Sequence, residues 1–197
     1  MTVYQIHVSR GNSKMGDVLN SSMPPGESCP DDAPCLGTGC YACRPYKRLK
    51  EVAANWAENL AYYLADPAGY FRDLEAHIIV AKPDMYRSGV GGDMPDQAYL
   101  AGLYAMASRH PGTKFLAFTK RHSFNFRGRP RNMSIVLSMW PGWGNTTKRM
   151  PRAWLNDPAN PDPRIPADAI KCSGKCESCG ICWDLAQLGH DVVLKRI

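Results

Sequence analysis

The sequence contains no apolar run long enough to cross a membrane, and its opening stretch, MTVYQIHVSRGNSK, has none long enough for a secretory leader. These absences predict a cytoplasmic chain with no membrane partner, in which thiols stay reduced and free to bind metal. No internal repeat and no low-complexity segment is present. Gly-x-Ser-x-Gly and P-loop patterns are missing too, so nucleophile-elbow hydrolysis and Walker-type nucleotide hydrolysis have no motif behind them. His7, His77, His110, His122 and His190 are scattered, and no two form a ligand-spaced pair. What remains is a chain of 197 residues, 44% apolar, which suits one globular domain over its whole length. The formal net charge of +6 admits a polyanionic or phosphate-bearing partner without requiring one.

The eight cysteines fall into two sets of four. Cys172, Cys176, Cys179 and Cys182 lie in KCSGKCESCGICW, with the spacing C-x3-C-x2-C-x2-C. Thiolates this close together can wrap a 4Fe–4S cube, whose irons each need one outer ligand. Zinc also takes four thiolates, but zinc ribbons usually bring two C-x2-C pairs together across a longer loop. The compact turn over 171–183 therefore favours a cluster. Two disulfides would need an oxidising compartment, which nothing in the sequence suggests. Cys29, Cys35, Cys40 and Cys43 have the looser spacing C-x5-C-x4-C-x2-C, inside an irregular stretch over 9–45. A loop of that length in a compact domain usually carries a function or a staple. Here a metal is the staple, either a second cluster or zinc.

Residues 2–8 alternate as a strand. Residues 47–65 and 66–82 read as helices, the second opened by Asp66-Pro67 and ended by Pro83. From Tyr86 the pattern alternates. A strand runs into Gly91-Gly92-Asp93, a helix covers 95–110, and continuous apolar strands occupy 114–119 and 133–139. Strand, helix, strand at this spacing is the βαβ unit, so 86–139 reads as a parallel α/β core. Residues 140–170 read as mostly loop, followed by the cysteine turn, a short helix ended by Gly189 and a last strand from Asp191.

In parallel sheets, ligands bind beyond the carboxyl ends of the strands. Asp93, Lys120 and Ser138 each follow or end a strand, so they are the candidate catalytic residues. Asp93 would act as acceptor or proton carrier and Lys120 as the anchor for an anionic substrate group. The simpler reading of Asp93 is a cap for the helix that begins near Pro95. The segment RHSFNFRGRPR, from Arg121 to Arg131, interleaves Arg with Phe124 and Phe126. It reads either as a base-stacking strip for nucleic acid or as a solvated loop.

Several blocks resemble the phage gene product 88-like family: Asn12-Ser13-Lys14-Met15, Ser22-Met23-Pro24-Pro25, Ser28-Cys29-Pro30 and Cys40-Tyr41-Ala42 at the start, then Gly91-Gly92-Asp93-Met94, Phe115 to Lys120 and Cys172 to Trp183. The resemblance covers most of the chain and implies a phage-encoded protein and a metal-binding fold more than any one reaction. Cys172, Cys176 and Cys179 also match the C-x3-C-x2-C of radical S-adenosylmethionine enzymes, and Cys40-Tyr41-Ala42-Cys43 is similar to its aromatic-bearing end. That likeness implies a partial β/α barrel with a cluster, and S-adenosylmethionine as a further cofactor. The chain departs from the pattern in its fourth thiolate, Cys182, and in placing the motif near its end.

The resulting expectation is an α/β protein with a partial, barrel-like parallel sheet and cysteine-rich metal loops at both ends of the chain. Its function would be redox or radical chemistry on a small-molecule substrate. The alternatives are a hydrolase that uses a cluster iron as Lewis acid, or a nucleic-acid-associated protein with structural metals.

Overall fold

The computed structural model describes residues 3–144, 147 and 149–195. One sheet holds eight strands in the order β1-β2-β3-β4-β5-β6-β8-β7. These are β1 (Val8–Arg10), β2 (Leu19–Ser21), β3 (Met85–Ser88), β4 (Lys114–Thr119), β5 (Met133–Ser138), β6 (Arg152–Asn156), β7 (Ile170–Lys171) and β8 (Val192–Lys195). Only β1 is antiparallel to its neighbour; every other adjacent pair is parallel. The α/β class and parallel core match expectation. The sheet is open, with β1 and β7 as its edges.

Several strand positions differ from the sequence reading; the strand expected from Tyr86 to Gly92 ends at Ser88, and β7 falls where no strand was expected. The first strand is β1 at Val8–Arg10, with residues 3–7 of the expected 2–8 outside it and residue 2 outside the described residues. β2 lies inside the stretch read as irregular, because a buried LNS triplet shows no apolar alternation. Its Asn20 is satisfied by the carbonyls of Ser9 and Val18, so the strand can bury an amide. β6 lies in the Pro-rich stretch read as loop. It pairs with β8, and the indole of its Trp154 donates to Asp191 at 2.8 Å.

The helices are α1 (Cys35–Thr38), α2 (Cys43–Arg48), α3 (Lys50–Ala65), α4 (Pro67–Ala81), α5 (Gln97–Arg109), α6 (Cys176–Cys179) and α7 (Ile181–Leu188). The helix expected over 47–65 is broken at Leu49, whose backbone is extended. Asp66 caps α4 by accepting from Gly69 N at 2.9 Å, and Lys82 ends it in a left-handed conformation. Asp96, rather than Asp93, caps α5 through Tyr99 N at 2.8 Å.

Side chains alternate across the strands, so the two faces bury different cores. Tyr86, Phe115, Ala117, Met133 and Ile135 meet α3, α4 and α5 in the larger core. Leu116, Val136, Ala153 and Val192 face the other way, where Trp183 and Leu185 of α7 cover them together with Met15 and Val18. The Trp183 indole donates to Tyr86 O at 2.9 Å and fixes α7 under that face. Cys176 N donates to Lys14 O at 3.0 Å, so the loop after β7 is bonded to the loop before β2, at the far side of the sheet.

Outside the larger core, Glu75 of α4 accepts two bonds of 2.7 Å from the Arg109 guanidinium and one of 2.7 Å from His110. The Arg109 bonds hold the Glu75 carboxyl below its ordinary value. A lowered carboxyl pKa stabilises the fold above the unfolded-state pKa, and that contribution disappears as pH falls through the folded-state value. Glu75→Gln should therefore cost about 1 kcal/mol at pH 7, after allowing for solvent screening at Arg109, and less at pH 3. Urea midpoints of the two proteins at both pH values check this.

Candidate functional site

The rim at the carboxyl ends of the strands is held by Asp93. The segment after β3 turns back through Gly92, whose φ is 69°. A side chain there would strike Ser28 Oγ and Met23 O, so only glycine lets the turn meet the N-terminal loop. Ser22 Oγ accepts from Val90 N and Gly91 N, and Ser28 Oγ accepts from Asp93 N at 3.0 Å. The Asp93 carboxylate then reaches the end of β4. It accepts from Thr119 Oγ1 at 2.6 Å, Lys120 N at 2.7 Å and Met94 N at 2.7 Å. Burial pushes the carboxyl above its ordinary pKa, while the bonds from Thr119 and Lys120 pull the other way. Arg121 adds a further tie, donating to Met94 O and to Ser28 O.

This rim positions the first cysteine set. Cys29 follows Ser28 directly, and its buried thiol packs with Cys35 and Ala33. Cys40 shares hydrogen bonds with the thiols of Cys35 and Cys43. The bond from Cys35 lowers the Cys40 pKa, while Cys35 and Cys43 are raised, Cys35 by that same bond and Cys43 by burial. A thiolate formed at Cys40 would be supported by its neighbours, as a first metal ligand needs. The Tyr41 hydroxyl donates to Val90 O, which draws the C-x2-C turn over the end of β3.

The second set follows β7. Cys172 N donates to Val193 O at 2.9 Å, and Cys176 is pinned to Lys14 O. Gly180, left-handed with φ 62°, turns the chain from α6 into α7 and brings Cys182 back beside Cys176. All four thiols line one small cavity of about 20 Å³. Burial raises the thiols of Cys176 and Cys182, the latter to about 12. Metal binding would have to displace those protons. Among the described residues, no three histidine, cysteine or carboxylate side chains are gathered at single-ion distances. A cube with one thiolate per iron needs its ligands further apart than a single ion does. Four thiolates are the donor chemistry that an iron–sulfur cluster or zinc takes, and not that of a hard cation.

The two sets open onto the same space. A cavity of about 210 Å³ is lined by Cys29, Cys35 and Cys40 from one and by Cys172, Cys176 and Cys182 from the other. Cys179 is exposed and faces only the smaller cavity. Asp93, Lys120 and Ser138 line the large cavity too, at the ends of three adjacent parallel strands. Arg87 of β3 and Lys14 also line it, and the sequence marks neither as a site residue. Arg87 sits in a four-residue strand, MYRS, where alternation alone would have sent it to solvent. Phe124 and Phe126 are partly buried against the larger core.

A family model described as Gene product 88 matches residues 6–185. No curated protein and no solved structure matches the chain. No helix among the described residues is long and apolar enough to cross a membrane.

Proposed function

Because this chain belongs to the gene product 88 family, and both of its cysteine sets line one cavity, we propose that it is a phage-encoded iron–sulfur enzyme of redox or radical type acting on a small-molecule substrate. The shared cavity carries the reading. Cys172, Cys176, Cys179 and Cys182 would hold a 4Fe–4S cluster, and Cys29, Cys35, Cys40 and Cys43 a second cluster or zinc. A cluster in either place supplies an electron source or a Lewis acid beside the bound molecule.

The chain's own residues supply the rest. Asp93 ties the ends of β3 and β4 together and, with its raised pKa, holds a proton more readily than an exposed carboxyl. Lys120 offers its ammonium to an anionic substrate group, and the Ser138 hydroxyl offers a donor and an acceptor from the next strand end. The Cys176–Lys14 bond between opposite sides of the sheet supports a partial barrel around this cavity. The C-x3-C-x2-C of Cys172, Cys176 and Cys179 supports S-adenosylmethionine as a second ligand.

Equilibrium binding of S-adenosylmethionine to the reduced, iron-loaded protein tests the radical branch. Saturable binding of one equivalent supports it. No binding, together with turnover of simple esters that is lost on iron removal, would move the assignment to a Lewis-acid hydrolase.

A further inference from the structure

We propose that Arg87 is the anchor for an oxyanion, the carboxylate or phosphate of a small organic ligand, at the end of the large cavity nearest Cys176 and Cys182. The inference rests on that cavity being a ligand site and does not require the cysteines to carry metal.

The guanidinium is fixed in place but poorly satisfied. Its central carbon lies 4.7 Å from the centre of the Phe118 ring, one strand over on β4. Nη1 donates to Met15 Sδ at 3.8 Å, and a thioether is a weak acceptor. Nε is buried and has no partner. Among the described residues no carboxylate pairs with Arg87, whereas Arg121 and Arg164 nearby bond to oxygen acceptors. Arg121 bonds to Met94 O and Ser28 O, and Arg164 bonds to Asp162 and to the carbonyls of Trp140 and Trp143.

An arginine stays charged at any ordinary pH, so its partly buried guanidinium is stable only if something supplies acceptors. An oxyanion meets that need, because its two oxygens match the fork of a guanidinium edge. Phe118 holds the plane of the fork and so reduces the ordering that binding must impose. The charges around the cavity agree. Lys14, Arg87, Lys120 and Lys195 line it against one carboxylate, Asp93. Both Asp93 oxygens already accept hydrogen bonds, and burial disfavours its charge. Lys120 stands at the rim by Cys29 and Cys35, while Arg87 acts on Cys176 and Cys182. A ligand held by both would lie along the cavity between the two cysteine sets.

The test is equilibrium dialysis of the full chain against radiolabelled inorganic phosphate and, separately, radiolabelled acetate, with ionic strength held constant by chloride. The expected result is one equivalent of either or both bound saturably, with preference between the two arms naming the ligand's anionic group. Arg87→Met, which keeps the stem on Phe118, should weaken binding at least about tenfold, the loss typical of one charge-assisted pair. Arg87→Lys should weaken it less, and Lys82→Ala, far from the cavity, not at all. Binding that is unsaturable, or unchanged in Arg87→Met, overturns the proposal. So does a folded wild-type chain that binds neither anion, the behaviour of a guanidinium that only balances the cysteines. Iron is measured on the same samples. Iron-free protein that still binds anion removes the cluster reading and supports this one; iron-loaded protein that binds none does the reverse.

Discussion

Asp93→Ala is expected to lower the unfolding free energy by about 3 kcal/mol or more, among the largest effects of any single substitution in this chain. The carboxylate is the common acceptor for the Thr119 hydroxyl and the amides of Lys120 and Met94. Alanine leaves those three donors buried without a partner, and each such orphan costs about 1–3 kcal/mol. The segment after β3 also carries the bonds to Ser22 and Ser28 that seat the N-terminal cysteine loop. Loosening it should therefore speed hydrogen exchange over residues 22–43 more than over α3 to α5. Asp93→Asn keeps the shape but turns one acceptor into a donor facing an amide, so it should fall between wild type and alanine. Urea unfolding followed by fluorescence measures all three. A loss below about 0.5 kcal/mol for Asp93→Ala would mean that the rim is held by other contacts.

Cys176→Ser should abolish the contribution of the C-terminal set to iron content and visible absorption. If the N-terminal set holds zinc, all of the colour should go; if it holds a second cluster, about half should remain. Cys176 is the informative position for a geometric reason. Its thiol lines both the small cavity shared by its own set and the large cavity shared with the other. Its amide, bonded to Lys14 O, is untouched by serine, so the link across the sheet survives. A weaker ligand in an intact fold is then the only change, and circular dichroism should match wild type. Unchanged iron and colour in Cys176→Ser would exclude the C-terminal set as the cluster site.

Much of this arrangement could be read from the residues. The runs KFLAFT and MSIVLS announce β4 and β5 because strands covered on both faces have no polar alternation to hide. Asp66-Pro67 announces α4 through the cap chemistry that the structure then shows. Asp93, Lys120 and Ser138 were placed together by one rule, that adjacent parallel strands present their ends on one rim. They line one cavity there. The remainder depended on contacts between residues distant in sequence. β2 is three residues long and buries an asparagine, so no periodic pattern marks it. β6 is an ordinary five-residue strand flanked by prolines, and its partner β8 lies some forty residues further on, across the cysteine turn. Asp93 resembles a helix cap in sequence, yet Asp96 does the capping, because the chain needs the two residues between them, Met94 and Pro95, to turn off the rim. Arg87 was invisible for the same kind of reason. Nothing in MYRS says that one face of β3 looks into a cavity, and only the meeting of two distant cysteine loops makes it one.

The most direct test of the central claim is the iron, acid-labile sulfide and zinc content of the protein purified without oxygen, with a Mössbauer spectrum of the same sample. The account predicts brown protein with about four iron and four sulfide per chain from the C-terminal set, or about eight of each if the N-terminal set also holds a cluster. Colourless protein with stoichiometric zinc and no sulfide would contradict it.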